Sequence, residues 1–111
     1  MASREERIGL NEAVFREVNE RIEGLADGFA LTSQPLDLVC ECGDASCLER
    51  ISMSHAEYEH VRAESHRFAV YPGHESTDVE AIVEKRDGYD IVEKETGAPE
   101  RIAERTDPRE G

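Results

Sequence analysis

The residues of this chain with the clearest chemical potential are three cysteines that lie within eight residues of one another. Cys40, Cys42 and Cys47 form the pattern C-x-C-x4-C in the segment CECGDASC. Thiolates are preferred ligands of Zn²⁺ in structural sites, where four nitrogen or sulfur ligands surround the ion as a tetrahedron. Gly43 gives the backbone the freedom that a tight metal-binding turn needs. The pattern predicts a zinc site whose fourth ligand comes from elsewhere in the chain.

Two other uses of the cysteines fit the sequence less well. A disulfide framework is disfavoured because the cysteine count is odd and because the first residues carry charges where an export signal needs an apolar stretch. A redox dithiol is disfavoured because the spacing is not C-x-x-C and because the acidic neighbours Glu41 and Asp44 oppose a thiolate. Three unrelated, reduced cysteines remain the alternative to a zinc site. We expect a cytoplasmic protein.

The fourth ligand is expected among the four histidines. His74 is the first candidate because it follows a Pro-Gly pair in a loop, where a side chain is easily directed at a metal. His55 is the second candidate because it is near the cysteines in sequence, and Asp44 or a water molecule is a third option. We expect His60 on the solvent side of a helix. His66 is expected at the end of that helix, where it stabilises the helix dipole.

A long amphipathic helix is predicted over residues 3–26, with Ser3 as its N-cap and Glu6 completing a capping box. Apolar residues recur on one side of this helix at alternating four- and three-residue steps, with Asn11 among them. We expect this side to pack on the rest of the domain. A short coiled coil or docking helix, with Asn11 setting the register, is the alternative. The stripe consists of Ile8, Phe15, Val18, Ile22 and Leu25, and Leu10 and Val14 widen it.

The remaining pattern predicts a small α+β fold with a short, mostly antiparallel sheet. Strands are expected at 36–41 and 48–53 around the cysteines, at 68–71, and in a hairpin of 79–83 with 89–92 around an Asp-Gly turn. A second helix over 54–65 begins with a capping box. The chain then divides into an N-terminal helix (1–26), a zinc-stabilised core (27–94), and a charged, partly disordered tail (95–111) with one helical turn at 99–105.

Composition limits both the size of the fold and its partners. The 111 residues support one domain, and only 38% are hydrophobic, so the core is small and needs support from a metal or a partner. Acidic residues outnumber basic ones 26 to 13, which gives a net charge of −13. Nucleic-acid binding through a basic face is therefore disfavoured. No apolar run is long enough for a transmembrane helix.

Several segments in combination resemble a group of small, uncharacterised bacterial proteins of actinobacterial type. The resemblance runs from about residue 12 to residue 109 and is carried by CECGDASC, RFAVYPGHE, GYDIVEK and TDPR. Those proteins share a CECG-x3-C element and a later PGHE box. The resemblance implies that Cys40, Cys42, Cys47 and His74 are the metal ligands. It implies no activity, because the group has none to transfer.

These observations predict a small acidic zinc-binding protein with a structural Cys3His site and a non-catalytic, protein-interaction or regulatory role. Its partner is expected to be a protein with a basic surface, without direct contact with nucleic acid or membrane. One alternative is a zinc enzyme, in which Glu75 or Glu41 acts as the general base. The other is a thiol-based redox sensor that uses the same cysteines.

Overall fold

A computed structural model describes residues 3–29 and 33–109 of the chain. It confirms the α+β fold, with three helices and five strands in the described ranges. The helices are α1 (Arg4–Gly28), α2 (His55–Arg62) and α3 (Ala98–Arg105); the strands are β1 (Leu36–Val39), β2 (Arg50–Met53), β3 (Arg67–Val70), β4 (Glu80–Arg86) and β5 (Tyr89–Lys94). Among these helices, none combines the length and apolar character needed to cross a bilayer.

The strands form two small antiparallel sheets. Strands β1 and β2 pair around the cysteine segment, with Leu36 opposite Met53. The second sheet has the order β3-β5-β4, and the predicted Asp-Gly hairpin joins β4 to β5. Gly88 adopts a φ of +88° in that turn, a conformation that other residues rarely take. The hairpin prediction and the antiparallel pairing around the cysteines are therefore confirmed.

The core consists of two clusters of buried side chains, as expected for a small domain. The first lies between β1, β2, α2 and the second sheet, and it contains Leu36, Leu38, Ile51, Met53, Tyr58, Val61, Ala69, Tyr89 and Ile91. The second lies on the opposite face of the second sheet and includes two of the cysteines with Phe68, Val70, Val92 and Ala103. Cys40 and Cys42 are thus part of the core, whereas residues 44–46 of the same segment are exposed.

The face that α1 turns inward is polar, contrary to the sequence-based expectation. Of the predicted stripe only Ile8 is buried, while Val18 and Leu25 are exposed, as are the flanking Leu10 and Val14. The other buried positions of α1 are Glu12, Arg16, Asn19 and Glu23. The helix does pack on the rest of the domain, and Ile22 of the stripe contacts the first core cluster. The side expected to be most buried is wrong, because charged groups contributed by the rest of the fold pair with the polar side of α1.

Two of these inward side chains show how the polar face is stabilised. The Lys94 Nζ contacts Glu12 and also donates to Glu80 Oε1 at 2.7 Å, so one buried cation lies between two buried carboxylates. Burial and the nearby charge of Glu80 raise the pKa of Glu12 well above its usual range, while Lys94 opposes this shift. The guanidinium of Arg16 donates to the Ala103 carbonyl at 2.8 Å and lies 4.5 Å from the centre of the Phe68 ring.

The sequence predicts a partly disordered C-terminal tail. In the structure, the described part of this segment instead packs against the rest of the chain. The expected single turn is the longer helix α3, which buries Ile102 and Ala103 and contacts α1. Beyond α3, the Arg109 guanidinium donates to Glu20 Oε2 at 3.0 Å and to Glu59 Oε2 at 2.8 Å. This segment is ordered because α3 buries apolar residues on one side and because Arg109 forms these ion pairs. The predicted division into 1–26, 27–94 and 95–111 stays a prediction.

Glu23, on the buried face of α1, makes stability depend on pH. Burial, together with the hydrogen bond and the negative charge of Glu59, raises the pKa of Glu23 to about 8, and Arg109 opposes the shift. The unfolded chain has the ordinary, lower pKa. The contribution of Glu23 to stability is therefore complete at low pH and is lost as the pH rises towards about 8.

We expect Glu23→Gln to remove this loss, because an amide keeps the shape of the side chain but does not ionise. The free energy of unfolding of the variant minus that of the wild type should increase by about 1 kcal/mol or more from pH 5 to pH 8. Urea unfolding at both pH values measures it, with the exposed Glu64→Gln as matched control. An equal difference at the two pH values would contradict the prediction.

Candidate metal centre

The four residues predicted as metal ligands lie together at one end of the second sheet. The ligand atoms of Cys40, Cys42, Cys47 and His74 all lie within 4.8 Å of one another. His74 Nδ1 is 3.7 Å from the Cys40 sulfur and 3.5 Å from the Cys47 sulfur. Zinc bonds of about 2.3 Å to sulfur and 2.0–2.1 Å to nitrogen give a tetrahedral sulfur–nitrogen edge of roughly 3.6 Å. The donor set and its spacing therefore fit a tetrahedral metal ion.

Backbone hydrogen bonds hold the three segments that carry these side chains. The Cys40 amide donates to the Glu49 carbonyl at 3.1 Å, which continues the β1–β2 pairing as far as the first ligand. The Cys47 amide closes the cysteine loop by donating to the Asp44 carbonyl at 3.0 Å. The His74 amide donates to the Tyr71 carbonyl at 2.9 Å in a turn that follows β3. Each ligand is thus placed by a short turn next to a strand.

Glu41 points away from the metal centre because neighbouring side chains in an extended segment alternate. Its carboxylate is completely buried, and Oε2 accepts from Asn19 Nδ2 at 2.7 Å while Oε1 accepts from the Ala69 amide at 3.0 Å. Burial raises the pKa of Glu41, although these two hydrogen bonds and the charge of Arg16 oppose the shift. The interpretation of Glu41 as a general base is therefore wrong, and its contacts are those of a positioning residue.

Two asparagine side chains of α1 form hydrogen bonds with the backbone in and just before the cysteine segment. The Asn19 side chain pairs with both backbone groups of Val39, accepting from its amide at 2.8 Å and donating to its carbonyl at 2.9 Å. About two turns of helix away, Asn11 Nδ2 donates to the Gly43 carbonyl at 2.9 Å. Asn11 therefore contacts the cysteine loop within its own chain, which disfavours the alternative in which it sets the register of a coiled coil.

The sulfurs of Cys40 and Cys42 influence one another. Interaction with Cys40 lowers the pKa of Cys42 to about 5, while interaction with Cys42 and burial raise the pKa of Cys40. Burial raises the pKa of Cys47. The Tyr71 amide donates to the Cys40 sulfur at 3.1 Å, which opposes the rise in the pKa of Cys40. A divalent cation supplies the charge that lets all three sulfurs ionise.

The other candidate ligands have partners elsewhere. Asp44 accepts hydrogen bonds from the amide and the hydroxyl of Ser46. The remaining three histidines each contact a carboxylate: His55 meets Asp27 at 3.3 Å, His60 meets Glu84 at 2.6 Å, and His66 meets Glu93 at 3.3 Å. Of the two leading candidates for the fourth ligand, the structure brings His74 rather than His55 to the cysteines.

Glu75, one of the two candidate general bases, lies beside the centre, and two further features were not assigned from the sequence. Glu75 lines the cleft beside His74, and its Oε1 is buried without a hydrogen-bond partner in the described part of the chain. A second group with metal-binding spacing combines His66 with Glu100 and Glu104 of α3, where the two carboxylates are one helical turn apart. The positioning roles of Asn19 and Glu41 had one indication in the sequence. Glu41 lies between two proposed ligands whose sulfurs must both point towards the same centre, so its own side chain must point away from it.

Comparison of the chain with models of known families, with curated proteins and with solved structures finds no match. The resemblance to small actinobacterial-type proteins therefore stays a prediction. The structure itself shows three cysteines and one histidine within metal-binding distance of one another. This cluster is the feature of the molecule that bears most directly on its function.

A close contact between the metal-binding loop and α1 can be tested by mutation. A Cβ atom added at Gly43 would lie 2.5 Å from Ile8 Cγ2 and 3.1 Å from Ile8 Cβ. Both atoms belong to a buried, branched side chain that cannot move aside easily. We expect Gly43→Ala to lower the free energy of unfolding by about 1–3 kcal/mol.

A double-mutant cycle separates this contact from any other effect of alanine at position 43. In the background of Ile8→Ala, which removes the obstructing atoms, Gly43→Ala should cost at least about 1 kcal/mol less than in the wild type. Urea unfolding of the two single variants and the double variant measures the coupling. If the two costs are equal, the contact does not explain the glycine.

Proposed function

We propose that this chain is a zinc-binding protein with a structural Cys3His site, and that it acts as a non-catalytic interaction or regulatory module. The observation that carries the proposal is the convergence of Cys40, Cys42, Cys47 and His74 within 4.8 Å. Three sulfurs and one imidazole nitrogen complete the tetrahedral set of a structural zinc site. When bound, zinc supplies a positive charge that joins these segments.

The donor set supports zinc over other common divalent cations. Thiolate ligands are soft and select zinc, copper(I) or iron–sulfur clusters, whereas magnesium and calcium take oxygen ligands. The buried positions of Cys40 and Cys42 also favour a metal held in the core over one exchanged at the surface. A mononuclear tetrahedral ion needs no more than the four side chains that meet here.

A structural role is better supported than catalysis. Four protein ligands fill the coordination shell of zinc, whereas catalytic sites keep one position for water. The cleft beside the cluster has a volume of about 220 Å³, which is below the roughly 300–1,000 Å³ of typical ligand sites. Glu41, one of the two proposed bases, is fully engaged in hydrogen bonds. These features favour an ion that stabilises the fold.

The metal would join three segments that are separate along the chain. Cys40 and Cys42 follow β1, Cys47 precedes β2, and His74 follows β3. Free energy of metal binding to a preformed set of ligands adds directly to the free energy of folding. The low hydrophobic content of the chain makes such a contribution important.

The proposed partner of this module is a protein with a basic surface. The support is the net charge of −13, which attracts basic proteins and repels nucleic acids. Zinc does not reverse this charge, since three thiolates bring one more negative charge than the ion neutralises. The acidic character of the surface therefore persists in the metal-bound protein.

Metal analysis of the purified protein tests the site. We expect one zinc ion per chain, and we expect Cys42→Ser and His74→Ala to lose it or to bind it at least about tenfold more weakly, because each removes one of four ligands. His55→Ala is the matched control and should keep the metal, since His55 contacts Asp27 instead. Cobalt(II) substitution reports the tetrahedral thiolate environment by absorption.

Two results would contradict the proposal. The first is a wild-type protein that folds with unchanged stability after its metal has been removed. The second is full zinc occupancy in His74→Ala together with loss of zinc in His55→Ala. Rapid release of zinc by mild peroxide, followed by reversible rebinding after reduction, would instead favour the redox-sensor role of the same cysteines.

A further inference from the structure

The outward side of α1 carries a row of exposed apolar side chains, which we name the outer face of α1. It consists of Leu10, Val14, Val18 and Leu25, whose exposed fractions are 48%, 60%, 38% and 63%. These positions are spaced so that all four fall on one side of the helix. Phe29, directly after the helix, extends the row and is 72% exposed.

The helix cannot bury this face by turning over. Its opposite side already pairs with the fold through Glu12, Arg16 and Asn19, all of which are completely buried. Rotating α1 would leave Lys94 without its contact with Glu12 and the Val39 backbone without its hydrogen bonds to Asn19. A continuous apolar row of this length is uncommon on a monomer and is typical of an interaction surface.

The charges near the outer face of α1 favour a second copy of this chain as the partner that covers it. The charged residues along and beside the row are Arg7 and Arg21 with Glu6 and Glu17, which sum to zero. The whole chain carries −13. Two copies of the chain therefore repel each other over most approaches, and they repel least when their outer faces meet.

The face is also complementary to itself in an antiparallel arrangement. A helix of 25 residues is about 37 Å long, which provides an extended contact for a second helix. If two copies of α1 pair in antiparallel fashion about a point near Val18, Leu10 of one copy lies opposite Leu25 of the other. Arg21 of each copy then comes within about one helical turn of Glu17 of the other.

We propose that the outer face of α1 binds a second copy of this chain, forming a twofold-symmetric dimer through antiparallel pairing of the two α1 helices. In this dimer the apolar row is covered along its length. The Glu17–Arg21 ion pair, whose atoms lie 2.9 Å apart within one chain, becomes part of a group of four charges. This inference does not rest on the metal-binding function, since none of its residues is a proposed ligand.

Light scattering or sedimentation of the metal-loaded full chain tests the dimer. At concentrations of about 10–200 µM, we expect a mass twice the 12.5 kDa of the chain. Val14→Glu and Leu25→Glu should each raise the dissociation constant of the dimer at least about tenfold, because each places an unpaired charge in the apolar row. The matched control is Val83→Glu, at an exposed apolar position of β4, which should leave the dimer unchanged.

A charge exchange tests the antiparallel register. Arg21→Glu alone should weaken the dimer, because it places two acidic residues of each copy beside those of the other. Combining it with Glu17→Arg should restore the dimer, since both ion pairs re-form with reversed polarity. Circular dichroism and urea unfolding show that each variant is folded.

The proposal is overturned if the wild type is a monomer over the whole concentration range, in which case a different protein covers this face. It is equally overturned if folded Val14→Glu and Leu25→Glu dimerise like the wild type. Failure of the double exchange to restore the dimer would overturn the antiparallel register.

Discussion

The Glu41 carboxylate connects the three parts of this molecule that must stay together. One oxygen accepts from Asn19 of α1 and the other from the backbone of Ala69 in β3. The flanking Cys40 and Cys42 point the opposite way, into the metal centre. Since neighbouring side chains alternate along an extended segment, fixing Glu41 on one side fixes both sulfurs on the other. A short run of three residues thereby links helix, sheet and metal centre.

Such a junction requires polar groups in the interior, and α1 supplies them. The cost of burying charge is offset only where each ion has a partner with good geometry, as Lys94 has in Glu12 and Glu80. Loss of one partner in a buried pair of this kind typically costs about 3–5 kcal/mol. The same arrangement leaves the apolar side of the helix outside. The orientation of α1 and its exposed surface therefore have one physical origin.

Features that depend on neighbouring residues were predictable from the sequence. The capping box at Ser54, the Asp-Gly hairpin and the spacing of the three cysteines each involve groups that are close along the chain, and each is present. The loop position of His74 pointed to it for a similar local reason. The orientation of α1 was not predictable in this way. Its periodicity defines two faces, but the choice between them depends on Lys94, which lies at the other end of the sequence.

The cysteine segment also closes an edge of the second sheet. Strand β3 has β5 on one side, and on the other its Ala69 carbonyl accepts from the Glu41 amide while the Tyr71 amide donates to the Cys40 sulfur. An uncovered edge strand offers free amide and carbonyl groups to strands of other chains, which is a common route to aggregation. The segment that carries the candidate metal ligands thus also covers the β3 edge against pairing with strands of other chains. If a metal ion is bound there, its loss would expose this edge and threaten solubility as well as stability.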